Sequence, residues 1–307
     1  MWRFVNSVVH TIHLEQALRT NHWHVNDNQG LTLIQSPLLA QYKDRLTHAF
    51  TTRMGPGGAP APYDHFNLGR NVPDEAVKAN ALANRKHLCT VLGANHDHLK
   101  VPGQVHSGTV VPILEATAKP DMANVDGVST NLSAVPLLLH FADCVPVIIY
   151  EKKKELVAIV HAGWRGTAQA IAANAVALMI EEWGAEASQM VAAVGPAIGT
   201  CCYPTGEDVV EQLMLTLSSP LDGSLVKEQM AQSLVKRDSL DGRAEQAQPR
   251  PDLKAINAMQ LLLAGVPEVD VCSFCTSCRP DLFYSHRQSG GKTGRQGAIA
   301  MMHSPNC

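Results

Sequence analysis

The sequence predicts a fold that mixes helices with strands around at least one antiparallel strand pair. Two unbroken apolar runs, Val145 to Tyr150 and Leu156 to Val160, flank the charged stretch Glu151-Lys-Lys-Lys-Glu155, the pattern of buried strands joined by a hairpin. Helical periodicity follows from Thr167 to about Trp183, and recurs from about Pro73 to Leu92 and from Asp252 to Ala264. The composition, 45% hydrophobic and 17% charged with a net charge of −3, is that of an ordinary folded globule. A length of 307 residues is at the upper edge of what one core supports, so one large domain and two closely packed halves both satisfy it.

This charge balance gives no footprint for nucleic acid or an acidic membrane surface. The first residues lack a basic flank followed by an apolar signal core, and no apolar run approaches the roughly 20 residues that a membrane helix needs. The expectation is a cytoplasmic protein without nucleic-acid or membrane partners. Its eight cysteines are then read as free thiols or ligands and not as disulfides.

Residues 1–45 are set apart as an N-terminal segment of uncertain role, and 46–307 as the main domain. The segment holds His10, His13, His22 and His24 without a clear period. His22-Trp-His24 and His96-Asp-His98 have the spacing that shares one face of a strand, but neither sits beside another obvious ligand, so both are read as exposed polar residues. From Leu46 a short strand ends in a glycine-rich loop, with Arg53 at the junction as a candidate anion ligand. Asp74 and Glu75 suit the first turn of the helix that follows, and Gly93 its end. Residues 99–111 read as a strand pair around His106, Asp126-Gly127 as a turn, and Pro136 to His140 as a strand leading into Cys144.

Beyond the central helix, Met190 to Val194 is a strand, and the vicinal pair Cys201-Cys202 is read as small residues packed in a loop. Residues 207–250 are helical and polar, with a surface insertion near 235–249. Cys272, Cys275 and Cys278 give two successive CxxC spacings. No second pair follows at structural-zinc spacing, so they are not read as a four-ligand site. Gly291-Lys-Thr293 lacks the first glycine of a phosphate loop, although Arg287, Lys292 and Arg295 form a cationic cluster.

Antiparallel pairing of the central runs sets Cys144, before the first, beside His161, after the second. Gly163 and Gly166 then bracket Trp164 and Arg165 at the start of a helix, where backbone N–H groups favour an anion. With His106 the set becomes two imidazoles and a thiol. That is the composition of a catalytic zinc site with an open position, and equally of a cysteine nucleophile with a histidine base.

In order along the chain stand His48-Ala-Phe-Thr-Thr-Arg53, Phe66-Asn-Leu-Gly69, Gln104-Val-His106, Ala142-Asp-Cys-Val-Pro146, His161-Ala-Gly-Trp-Arg-Gly166, Gly195-Pro-Ala-Ile-Gly199 and Thr293-Gly-Arg295. This series resembles the laccase-domain family, also labelled multicopper polyphenol oxidases, whose members look like purine nucleoside phosphorylases that also deaminate adenosine. The resemblance implies an α+β single domain of packed mixed β-sheets covered by helices, with His106, Cys144 and His161 as zinc ligands and as the catalytic set. It implies phosphorolysis of adenosine, inosine, guanosine and methylthioadenosine, with purine nucleosides and phosphate as partners, in a monomer or homodimer. Arg53, Arg165 and Arg287 are the candidates for binding substrate, and Asp143 for orienting a ligand or capping its turn. Two departures stand out: Pro204 replaces the usual acidic residue after Cys-Cys-Tyr203, and Gln288-Ser289 replaces the commoner Arg-Asp.

Three alternatives remain open to the sequence. Copper-dependent phenol oxidation agrees with the older label and with copper as a possible metal, but two His-x-His pairs fall short of the histidine-rich set that a multicopper centre needs. A metal-free hydrolase would use Cys144 as nucleophile. A non-catalytic metal scaffold conflicts with the open coordination position.

Overall fold

The structure is a computed structural model that describes residues 18–19, 23–118, 122–217, 233–237 and 248–304. The strands are β1 (Leu18–Arg19), β2 (His24–Asn28), β3 (Leu31–Gln35), β4 (Leu46–Thr51), β5 (Val110–Ile113), β6 (Gly127–Thr130), β7 (Leu137–Phe141), β8 (Val145–Glu151), β9 (Leu156–Ala162), β10 (Met190–Val194), β11 (Val235–Lys236), β12 (Arg250–Pro251), β13 (Glu268–Val271) and β14 (Gln296–Met302). The helices are α1 (Pro37–Ala40), α2 (Glu75–Val91), α3 (Trp164–Ala168), α4 (Ile171–Trp183), α5 (Glu207–Leu215) and α6 (Leu253–Leu263).

Alternation along the central hairpin explains the layering. Val145, Val147 and Ile149 of β8, with Leu156, Ala158 and Val160 of β9, face one side and pack on Ile171, Val176 and Met179 of α4 and on Leu253, Ile256 and Leu261 of α6. The residues between them, Ile148, Tyr150, Val157 and Ile159, face the other side and meet Phe50, Leu139, Phe141 and Ala300 of a second sheet. That sheet turns Leu31, Leu33, Leu138 and Ile299 outward against Leu88 and Val91 of α2. The chain is therefore a four-layer stack of helices, sheet, sheet and helix. The first sheet is mixed, in the order β1-β13-β10-β8-β9-β6-β5; the second is antiparallel, in the order β2-β3-β4-β14-β7. This is the expected α+β arrangement of packed sheets covered by helices.

Several local expectations change. Residues 24–35 supply two strands to the same sheet as β4, and Trp23 Nε1 donates to Asp270 Oδ1 at 3.0 Å, so chain on both sides of residue 45 shares one core. His10, His13 and His22 lie outside the described residues, as do residues 218–232 and 238–247 of the polar stretch. His96-Asp-His98 is a turn of 3-10 helix and not a strand.

The helix expected from Thr167 to Trp183 is two helices: α3 begins at Trp164, and the chain breaks at Ala170, whose φ is 54°. Asn174 Nδ2 reaches back to the Gln169 carbonyl at 3.0 Å, giving a carbonyl freed by the break a partner.

Candidate active site

Pro146 pairs with His161 and Val145 with Ala162 across the hairpin, so Cys144 and His161 meet at one end of the β8–β9 ladder. Both fall on the alternation that faces the second sheet, which carries their side chains to the mouth of the seam between the sheets.

His106 arrives differently. The expected strand pair around it is instead a loop organised by one carboxylate. Asp126 Oδ1 accepts the His106 N–H at 2.9 Å, and Oδ2 accepts the N–H groups of Val105 and Ser107 at 3.0 and 2.7 Å and the Ser107 hydroxyl at 2.8 Å. These bonds hold His106 in the left-handed region, with φ 66°, a conformation that non-glycine residues seldom keep without such support. Asp126, read from sequence as part of a turn, is fully buried.

The Asp126 Oδ1 also lies 2.9 Å from His161 Nδ1, leaving Nε2 of that ring free to face Cys144. His106 Nε2 lies 3.7 Å from Cys144 Sγ, and the two imidazole centroids are 5.0 Å apart. One donor atom from each of the three side chains lies within 4.8 Å of the others. His161 is buried, Cys144 half-buried and His106 exposed, so the set opens outward on one side. Gly163 closes the other side: a Cβ there would stand 2.7 Å from His106 Cδ2 and 3.0 Å from Cys144 Sγ.

Charge is polarised across this set. Burial pushes the Cys144 thiol up, but the His161 charge and the hydrogen bonds of both imidazoles bring it down to about 6. Burial pushes His161 down, while the Cys144 thiolate and the Asp126 carboxylate outweigh it and raise the ring to about 9. Asp126, although buried, is held at about 2 by His161 and Ser107. The trio therefore favours a thiolate, the form in which cysteine binds a metal or attacks as a nucleophile.

A cavity of about 750 Å³ lies over the three residues. Of the candidate substrate-binding arginines, Arg165 and Arg287 line it, and they stack on Trp164 and Tyr203 at 4.3 and 5.1 Å. Arg53 does not line it. Its guanidinium covers the Tyr284 ring at 4.9 Å and donates to the Pro280 carbonyl at 3.1 Å. Arg70, Arg85 and Arg295 do line it and were not among the candidates.

A signal for Arg85 was available. Val77, Ala81, Arg85 and Leu88 recur at helical spacing on the buried face of α2, where a lone arginine is anomalous. The helix N-terminus read as an anion cradle is that of α3, a helix of five residues whose first two, Trp164 and Arg165, line the cavity.

Asp143 precedes Cys144 with φ 93°. Its carboxylate accepts from Thr276 Oγ1 at 2.6 Å, Ser285 Oγ at 3.0 Å and the Arg287 N–H at 2.7 Å. It thereby locks the turn before the thiol to the segment that carries Arg287.

A thiol flanked by two imidazoles beneath an arginine-lined cavity is a group of side chains that could hold a metal ion. Residues 47–303 match the family model described as multi-copper polyphenol oxidoreductase laccase, and the chain belongs to that family. The purine nucleoside phosphorylase YlmD of Geobacillus stearothermophilus is 36% identical over 259 residues, covering 80% of this chain and 86% of that one. The adenosine deaminase RL5 from an unknown prokaryotic organism is 32% identical over 256 residues, covering 80% and 90%. The crystal structure of the Geobacillus YlmD superposes with a TM-score of 0.77 at 30% identity, covering 91% of this chain and 98% of that one.

Proposed function

We propose that the chain is a zinc-dependent purine nucleoside phosphorylase acting on adenosine, inosine, guanosine and methylthioadenosine, with adenosine deaminase activity at the same site. The observation that carries this reading is the convergence of His106, Cys144 and His161 beneath a cavity lined by five arginines and one acid, Asp143. The relatives named as phosphorylases and as a deaminase support it. A cavity of about 750 Å³ falls in the range typical of small-ligand sites.

The donor set fits a metal ion. His161 offers Nε2 because Asp126 occupies Nδ1, His106 Nε2 and Cys144 Sγ point to the same space, and Gly163 leaves that space clear. Three protein donors with one side open are the pattern of a catalytic site. When bound, zinc supplies Lewis acidity and brings the pKa of a water down to about 7.

The chain's own residues account for the rest. Arg287 and Arg165, with their planes fixed on Tyr203 and Trp164, present N–H donors to a phosphate dianion. Holding that phosphate against C1′ of the ribose turns attack into an intramolecular step: the C1′–N9 bond breaks as the new C1′–O bond forms, and the base leaves with its electron pair. The departing base takes up a proton from solvent, which reaches the site on its open side. His140 lines the cavity, and its buried Nε2 has no hydrogen-bond partner among the described residues, which makes it the candidate to bond a ring nitrogen of the base. Its pKa lies well below the usual histidine value because of burial and then Arg85, so it acts as a neutral imidazole.

Purified protein incubated with adenosine, with and without phosphate, tests the proposal by chromatography of the products. Adenine and ribose 1-phosphate formed only with phosphate, and inosine formed in its absence, are expected. If neither base nor inosine accumulates under either condition, the reading is wrong.

A further inference from the structure

The second concentration of ligating atoms lies outside the cavity. β10 and β13 are parallel neighbours, with Val194 in register with Val271, so the loops leaving their C-terminal ends emerge side by side. They stay in register beyond the strands: Ala197 bridges Cys275, and the Thr276 N–H donates to the Ala197 carbonyl at 3.1 Å. One loop brings Cys201 and Cys202, the other Cys275 and Cys278, and all four sulfurs lie within 4.8 Å of one another. This reverses the sequence reading of both segments. The partner pair for the CxxC cysteines lies about 70 residues upstream, and Cys201 is exposed, not packed as a small core residue.

We propose that Cys201, Cys202, Cys275 and Cys278 form a closed, four-thiolate structural site for zinc, separate from the site at Cys144. Cys278 Sγ stands 3.4 Å from Cys201 Sγ and 3.4 Å from Cys202 Sγ. This sulfur is equidistant from two partners, as at the vertex of a tetrahedron, whereas a disulfide draws it to about 2 Å from one alone. Zn–S bonds of about 2.3 Å place tetrahedral sulfurs roughly 3.8 Å apart, close to this spacing. The Gly199 N–H donates to Cys275 Sγ at 3.2 Å, a bond that favours a thiolate. With four protein donors no position remains for water or substrate, so the site is structural.

What it would hold is the outer wall of the cavity. Tyr203, directly after Cys202, carries the stacked Arg287, and Ile198 from the same loop also lines the cavity. From the facing loop, Thr276 Oγ1 bonds Asp143 beside Cys144. A zinc ion across the two loops would fix Tyr203 relative to Asp143. Binding releases the thiol protons to solvent and involves no change of oxidation state.

The test uses the full chain, purified under reducing conditions without chelator, and does not depend on activity. Elemental analysis should show that Cys201→Ser and Cys278→Ser each lose one zinc per chain relative to their parent, both in the wild type and in a Cys144→Ala background. The background separates the two sites: if Cys144 holds no metal, the parent count is unaltered by Cys144→Ala, yet the loss on Cys278→Ser persists. As a second measurement on unmutated protein, alkylation followed by peptide mass spectrometry should find these four thiols protected with zinc and reactive after chelation. The proposal is overturned if they alkylate equally fast in both states, if they are recovered as disulfides after non-reducing digestion, or if both serine variants keep the full zinc count. Should a serine variant fail to fold, the alkylation result on wild-type protein decides.

Discussion

Asp126 Oδ1 lies 2.9 Å from His161 Nδ1 and accepts the backbone N–H of His106 at the same distance. One buried carboxylate thus sets the tautomer of one candidate ligand and the backbone conformation of another. Asp126→Asn keeps the shape but replaces one acceptor oxygen with a donor that cannot serve His161 Nδ1–H or the 105–107 N–H groups. Loss of such a supporting partner typically costs 10 to 100-fold in metal affinity or activity. We expect that range for Asp126→Asn, read by zinc titration against a competing chelator; an unchanged affinity would remove Asp126 from this role.

Cys144 separates the metal-ligand reading from the nucleophile reading. Cys144→Ala, His106→Ala and His161→Ala should each lose about one metal equivalent per chain, together with phosphorolysis and deamination, while circular dichroism stays native. An inactive Cys144→Ala protein that retains all of its metal would make Cys144 a nucleophile.

Gly163 leaves no room for a methyl group between His106 and Cys144. Gly163→Ala must displace one of the two, and a misplacement near 1 Å at a reacting centre costs on the order of 100-fold. Turnover should fall by about that factor with little change in melting temperature. Wild-type turnover would mean that the three side chains need not meet.

The arginines divide by position. Arg287→Ala removes a cation that lines the cavity and should raise KM for phosphate or nucleoside by about 10-fold. Arg53→Ala removes a cation stacked on Tyr284 outside it, and should leave both constants alone while costing about 1 kcal/mol of stability from the lost hydrogen bond and ring contact. Steady-state kinetics and urea unfolding on both variants read the contrast.

His48 offers a pH signature remote from the cavity. It is 1% exposed, burial lowers its pKa to about 4, and its Nε2 accepts the Ser36 N–H at 3.0 Å, which requires an unprotonated nitrogen. Between pH 4 and the unfolded value of about 6.5 the unfolded chain binds the extra proton, so stability falls as pH is lowered through that window. The contribution of this one ring amounts to roughly 2 kcal/mol between pH 7 and pH 5. His48→Gln should lose less stability than the wild type between those pH values in urea unfolding, and an identical loss would contradict the assignment.

The sequence by itself determined the hairpin. Val145 to Tyr150 and Leu156 to Val160 are apolar at every position because both faces of that sheet are covered, and the length of the runs and the charged turn fix the pairing. Once the pairing is fixed, Cys144 and His161 must meet. The same local logic marked the α2 and α6 helices, whose periodic apolar residues are their buried faces.

Tertiary structure decided the rest, because the partners are distant in sequence. Asp126 reads as a turn residue until the 105–107 loop folds over it, since a carboxylate's partners leave no mark on its own neighbours. Arg53 and Arg287 read alike as cations beside glycines; only the stacking of one on Tyr284 and the other on Tyr203 puts the first outside the cavity and the second on its wall. The four cysteines come together because β10 and β13 run parallel side by side, and a parallel pairing between strands so far apart is set by the packed sheet and not by any local pattern.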